Sequence, residues 1–81
     1  MAADALRVFP NPTNGQLELR FPGQQIGRIE LFALAGKRAL LVDQRFTDAA
    51  SLDLSRLPNG LYLLKTRQDG GVIVRRIVLQ R

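Results

Sequence analysis

The sequence contains no cysteine and no histidine. The first absence excludes a disulfide framework and any thiolate metal site. The second removes the commonest general base and metal ligand, so a Ser-His-Asp triad, a Cys-His dyad and a zinc finger are all excluded. Apolar runs such as Ala39–Val42 and Leu61–Leu64 fall far short of the ~20 residues that a membrane-spanning helix needs, so no direct membrane insertion is expected. The opening Met1-Ala2-Ala3-Asp4-Ala5 lacks both the basic start and the ~7–15-residue apolar stretch of a secretory signal. Residues 1–5 read as a short polar leader, ahead of a single domain over 6–81. Acidic residues number 7, and Asp43, Asp48 and Asp53 are spaced by five. A calcium loop needs ligands at alternate positions, so no metal site is expected. Paired carboxylates for glycoside hydrolysis would need a concave site, which a small domain with scattered acids gives no reason to expect. The chain reads as a non-enzyme without cofactors.

What is present is a chain of 81 residues, 46% hydrophobic and 23% charged. That composition is globular rather than disordered. The length suits one small domain that buries roughly 60–65% of its unfolded surface. Twelve basic residues against 7 acidic give a net charge of +5 and a pI near 11.1. A basic domain suits anionic partners. The cations are nevertheless dispersed from Arg7 to Arg67, and only Arg75, Arg76 and Arg81 gather. A nucleic-acid-binding module would cluster its arginines and expose stacking aromatics. Here there are four Phe and one Tyr, several of them needed for a core, and no nucleic acid is expected as a partner.

The hydrophobic period is two. Leu17, Leu19 and Phe21 alternate with Gln16, Glu18 and Arg20, and Ile29, Leu31 and Ala33 alternate with Arg28, Glu30 and Phe32. Leu6 and Val8 flank Arg7, and Leu52 and Leu54 flank Asp53. These are half-buried strands. Arg38–Arg45 and Gly60–Arg67 hold continuous apolar stretches, as central strands do. Val72–Leu79 is β-branched-rich but alternates imperfectly, which implies two partly covered faces or a bulge near Arg75-Arg76.

Turn signals separate the runs. They are Pro10-Asn11-Pro12-Thr13-Asn14-Gly15, Pro22-Gly23, Ala35-Gly36, Thr47-Asp48, Pro58-Asn59-Gly60 and Asp69-Gly70-Gly71. Pro22-Gly23 fits a type II turn, with Gly23 at positive φ. Ala35 resists positive φ, so a type I turn with Gly36 as the left-handed residue of a bulge fits there. Asp69-Gly70 is a hairpin signal. Pro10-Asn11-Pro12 reads as a rigid corner, because each proline restricts its own φ and the residue before it. Seven short strands predict an all-β, antiparallel, immunoglobulin-like β-sandwich with Greek-key connections. Leu57-Pro58-Asn59-Gly60-Leu61-Tyr62 has the spacing of a tyrosine corner, in which the ring is buried and the hydroxyl turns back to upstream backbone.

Four segments also carry a family resemblance. Val8-Phe9-Pro10-Asn11-Pro12-Thr13-Asn14-Gly15 resembles the Val-Tyr-Pro-Asn-Pro-x-x-Gly opening of the type A C-terminal sorting domains of the type IX (Por) secretion system. Ile29–Lys37 resembles that family's apolar-x-Leu-Tyr-x-x-x-Gly-Lys segment, with Gly36 and Lys37 in place. Leu52–Tyr62 resembles its Leu-Ser-x-Leu-x-x-Gly-x-Tyr, with Leu57, Gly60 and Tyr62 in place. Gly70 and Gly71 then precede a basic, β-branched closing strand through Val78-Leu79-Gln80-Arg81. The four stand in family order over nearly the whole chain. Phe9 and Phe32 stand where the family often has Tyr, and Arg75 and Arg76 where Lys is frequent, which changes donor geometry.

The resemblance implies an address label. Such a domain follows an N-terminal cargo domain in its parent chain, reaches the periplasm, and is read by outer-membrane type IX translocon components. A sortase-like protease then removes it, and the cargo ends at the cell surface or is secreted. Residue by residue, the expected recognition set is Lys37, Arg75, Arg76, Leu79, Gln80 and Arg81. The closing strand Val72–Arg81 is expected to lie at a sheet edge, where backbone pairing supplies affinity and charge steers the encounter. Removal of Leu79–Arg81 is expected to leave most of the core in place. The alternative reading is an immunoglobulin-like carbohydrate-binding or adhesion module of a surface protein, which requires a row of exposed aromatics.

Overall fold

The seven expected runs form six strands in a computed structural model that describes residues 6–68 and 70–81. These are β1 (Arg7–Phe9), β2 (Gln16–Ala33), β3 (Arg38–Val42), β4 (Phe46–Asp53), β5 (Gly60–Gln68) and β6 (Gly71–Leu79). Met1–Ala5, read as a leader, and Asp69 of the Asp69-Gly70 signal lie outside the described residues. All pairings are antiparallel, so the all-β class is as expected.

The strand count is six rather than seven, because Leu17–Phe21 and Arg28–Ala33 belong to one 18-residue strand, β2. Pro22-Gly23 bends the chain without reversing it. β4 pairs on both sides of the bend, Phe21 with Asp48 and Gln25 with Thr47, so Pro22, Gly23 and Gln24 are looped out as a wide bulge. Proline is tolerated there because no ladder hydrogen bond is asked of its missing N–H. Gly23 takes the positive φ of 77° that its position requires. Its N–H donates to Asp48 Oδ1 at 2.9 Å, and Asp48 itself sits at φ 69°, a region that short polar side chains tolerate.

The bend decides the architecture. The first half of β2 lies between β1 and β4, and the second half between β5 and β3, with β6 beyond β5. Hydrogen bonds therefore link every strand into one sheet curled into a half-barrel. Leu17, Leu19 and Phe21 from the first half face Ile26, Ile29 and Leu31 from the second, and all six are fully buried. A second irregularity between Ile26 and Arg28 lets the inward parity pass from Ile26 to Ile29. Leu52, Leu54, Leu64, Ile77 and Leu79 complete the core. Each such side chain contributes about 1.5–3 kcal/mol by leaving water.

The imperfect pattern of β6 is resolved without a bulge. Its register with β5 runs unbroken from Gly60–Leu79 to Gln68–Gly71. Ile73, Arg75, Ile77 and Leu79 face inward, while Val72, Val74, Arg76 and Val78 face outward, so both faces are partly covered.

Candidate functional site

The far edge of β6 is where the sheet curls back on itself. Thr13, just past β1, forms a parallel bridge with Leu79. Its N–H donates to Val78 O at 2.8 Å, and its C=O accepts from Gln80 N at 2.8 Å. The buried Thr13 hydroxyl donates to Gln16 O at 2.6 Å and accepts from Gly15 N at 3.1 Å. Asn11 continues the clamp with its side chain. Nδ2 donates to Arg76 O at 2.8 Å, and Oδ1 accepts from Val78 N at 2.9 Å. The two flanking prolines carry no N–H, so this segment cannot pair as an ordinary strand. The Asn11 carboxamide supplies one donor and one acceptor in place of a peptide group. The motif is thus a corner, as expected, and also a cap on the closing strand. Proline spacing gave the corner; the distant partner of Asn11 had no local signal.

The other motif residues, apart from Gly70 and Gly71 at the opposite end of β6, lie at the same end of the sheet. Tyr62 is buried, and its hydroxyl donates to Pro58 O, so the tyrosine corner is present. Leu57 N donates to Leu54 O at 3.0 Å. Gly15, at φ 137°, passes its backbone beside Ser55, and its C=O accepts from Leu54 N at 2.6 Å. Gly36 takes φ 93° in the β2–β3 turn. Its N–H donates to Ala33 O, and Ala33 N donates to Lys37 O, which is the expected type I turn with a left-handed glycine. The β5–β6 hairpin uses Gly70 at φ 84°, with Gly71 paired to Gln68.

The six expected recognition residues do not share one surface. Arg75 faces inward and Arg76 outward, and Arg75 Nη1 donates to Val74 O at 3.3 Å. Leu79 is a core residue, 1% exposed. Gln80 is tied to Thr13 through its N–H. The Arg81 guanidinium donates to Leu57 O and Leu54 O, and Arg81 N donates to Asn59 Oδ1 at 3.1 Å. Lys37 is exposed on the β2–β3 turn, at the same end as Leu79 because Ala33, Tyr62 and Ile77 pair in sequence across the sheet. Loss of Leu79–Arg81 would therefore remove a core side chain, the Thr13 bridge and the brace on the tyrosine corner. Most core side chains belong to residues outside this truncation, but the braces at this end of β6 are lost with it.

Electrostatics elsewhere is local. Glu30, nearly buried on the outer face, holds Arg38 at 3.2 Å, and the exposed Asp43 meets Arg28 at 3.5 Å. Hydrogen bonds from Ser55, hydroxyl first and backbone N–H second, hold the Asp53 carboxyl below its ordinary value. Asp43, Asp48 and Asp53 thus have separate partners. Among the described aromatic residues Phe9 alone is exposed, at 39%, with the Arg20 guanidinium 5.7 Å over its ring. One ring does not make the aromatic row of a carbohydrate-binding face.

No curated protein matches the chain. A family model does, that of the secretion system C-terminal sorting domain, over residues 7–80. The matched span begins with β1, includes the Asn11–Thr13 cap and the tyrosine corner, and ends at the strand that both of them secure. The chain belongs to the secretion system C-terminal sorting domain family, the non-catalytic sorting domains of type IX secretion.

Proposed function

We propose that this domain directs an N-terminal cargo protein through the outer-membrane type IX translocon and is then removed by a sortase-like protease acting ahead of β1. The domain is the substrate of both machines. Membership of a sorting family implies secretion across the outer membrane and contact with secretion machinery. The reading adds translocon docking on β6, with Arg75, Arg76, Gln80, Arg81 and the nearby Lys37 as the charged and polar contacts. Leu79 acts from the core by fixing the strand's position. The two halves of the curled sheet serve as the two layers of the expected immunoglobulin-like sandwich.

The observation that carries the proposal is where the family motifs converge. The Pro-Asn-Pro corner, the terminal Arg81 and the Leu-x-x-Gly-x-Tyr corner all hold the C-terminal half of β6 or the turn beside it. Three features spent on one strand end suit a domain whose task is to present that strand. The test is fusion of residues 1–81 behind a periplasmic reporter in a type IX-competent host. Surface delivery of the reporter, with loss of the 9.0 kDa domain, is the expected result. Retention of a folded fusion in the periplasm overturns the proposal.

A further inference from the structure

The cap on β6 stops halfway. Arg76, Val78 and Gln80 direct backbone groups to the far edge, where Asn11 and Thr13 meet them. Residues of the same parity along a strand point their N–H and C=O groups the same way, so Val72 and Val74 also present theirs to this edge. Among the described residues no strand lies beside them. The Val74 carbonyl accepts the bond from Arg75 Nη1, while Val74 N–H and both groups of Val72 face outward. An edge of this kind is a template for a further strand.

The side chains around it state what that strand should be. Val72 and Val74 are 44% and 52% exposed on the outer face. Their cross-strand neighbours on β5 are Arg67 and Lys65, and Arg76 follows along β6. Beyond Val72 the edge opens into a cleft of about 600 Å³, lined by Gln25, Gly27, Arg45, Arg67, Gln68 and Val72 among others. Arg45 and Arg67 form no ion pair among the described residues. The open edge is therefore a short apolar step with cations at both ends. A second copy of the chain fits it poorly, because each copy carries +5 and edge-to-edge pairing would set Lys65, Arg67 and Arg76 against their own counterparts.

We infer that the Val72–Val74 edge binds an extended acidic segment of another protein, which adds as a strand to β6. The segment's outward side chains are β-branched beside Val72 and Val74. One flanking carboxylate meets Arg76, and the other enters the Arg45–Arg67 cleft, where guanidinium groups favour bidentate carboxylate contacts. This inference rests on the sorting-domain reading and deepens it. It names the chemistry of the partner and places first contact at the hairpin end of β6, away from the capped Gln80–Arg81 end.

The probe is the peptide Glu-Thr-Val-Thr-Val-Thr-Glu, blocked at both ends, titrated into the isotope-labelled chain and followed by amide resonances and hydrogen exchange. Binding should shift and protect the Val72 and Val74 amides and weaken with added salt. Val74→Pro removes one edge donor and blocks the ladder, and should weaken binding by roughly tenfold or more. Arg45→Gln with Arg67→Gln changes only exposed side chains, so its effect is readable even where the proline variant fails to fold. It should weaken binding several-fold and flatten the salt dependence. The inference is overturned if the Val72–Arg76 amides do not respond to millimolar peptide. It is equally overturned if the same peptide with Lys for Glu binds as well, if the chain instead dimerises through β6, or if only phosphatidylglycerol vesicles shift these amides. Normal export of the reporter fusion without peptide binding defeats the edge inference alone; peptide binding without export defeats the secretion reading alone.

Discussion

Replacing Asn11 by Ala tests whether a side chain can close a sheet edge. The substitution deletes two hydrogen bonds to β6, the 2.8 Å bond to Arg76 O and the 2.9 Å bond from Val78 N. Each is worth ~0.5–1.5 kcal/mol net. The site is exposed, so water takes over both β6 groups and the loss belongs in the lower part of the combined range, about 1–2 kcal/mol. For a domain of this size that lowers Tm by roughly 4–8 °C per kcal/mol. Amide exchange supplies the sharper readout. Val78 N–H has the Asn11 carboxamide as its partner, whereas Ile77 belongs to the β5–β6 ladder. In Asn11→Ala the Val78 amide should exchange far faster while Ile77 keeps its protection. Asn11→Asp separates the two bonds, because it keeps the acceptor for Val78 and loses the donor to Arg76 O. Val78 should then remain protected above the carboxylate pKa, despite a stability loss. Wild-type exchange at Val78 together with an unchanged Tm in Asn11→Ala would refute the cap.

Tyr62→Phe keeps the buried ring but leaves Pro58 O without the hydroxyl, and should cost about 1 kcal/mol in urea unfolding; a change below a few tenths would mean the corner bond contributes nothing. Gly36→Val should cost ~1–3 kcal/mol. No atom lies within 4 Å of the added Cβ, so that cost is backbone strain at φ 93°, and equal stability would sink the turn assignment. Leu79→Ala should cost about 2–5 kcal/mol as a core truncation, while Gln80→Ala should be nearly neutral; equal effects from the two would place the strand in the wrong register. For Asp53 the folded pKa lies below the ordinary value of 3.8. Its contribution to stability is therefore present above the unfolded pKa and is lost as pH falls through the folded one. Asp53→Asn should therefore lower stability slightly at neutral pH, leave it almost unchanged below the folded pKa, and so flatten the acid limb of the stability curve; an unaltered acid limb would show that the Ser55 bonds do not discriminate between protonation states.

Local signals in the sequence predicted local geometry well. Gly23 and Gly36 occupy the positive-φ positions that their turn chemistry asked for. The apolar members of each alternating pair, Leu17, Leu19, Phe21, Ile29, Leu31, Leu52 and Leu54, are the core. The tyrosine corner follows from spacing alone, because its hydroxyl reaches only four residues back. The strand count was missed at Pro22-Gly23 because the same two residues serve a reversing turn and a looped-out bulge. The choice was made by Asp48, 25 residues away, whose carboxylate holds Gly23 N–H while β4 pairs across the gap. No window centred on the turn contains that information.

The recognition residues show the same division between near and far. A run of basic residues on a β-branched strand marks β6 as distinctive, but only the register decides which side chain goes where. An unbroken ladder with β5 turns Arg75 inward and Arg76 outward, so the two arginines that look alike in the sequence occupy different surfaces. The cap depends on partners 65 and 67 residues apart. One consequence bears on any mutational study of export. Asn11, Tyr62, Leu79 and Arg81 all support the capped end of β6, so losing any of them lowers stability before it touches a docking partner. Substitutions at Arg76, Arg45 or Arg67 change charge on exposed side chains and leave that support in place. Export defects confined to this second group would report recognition, and defects confined to the first would report folding.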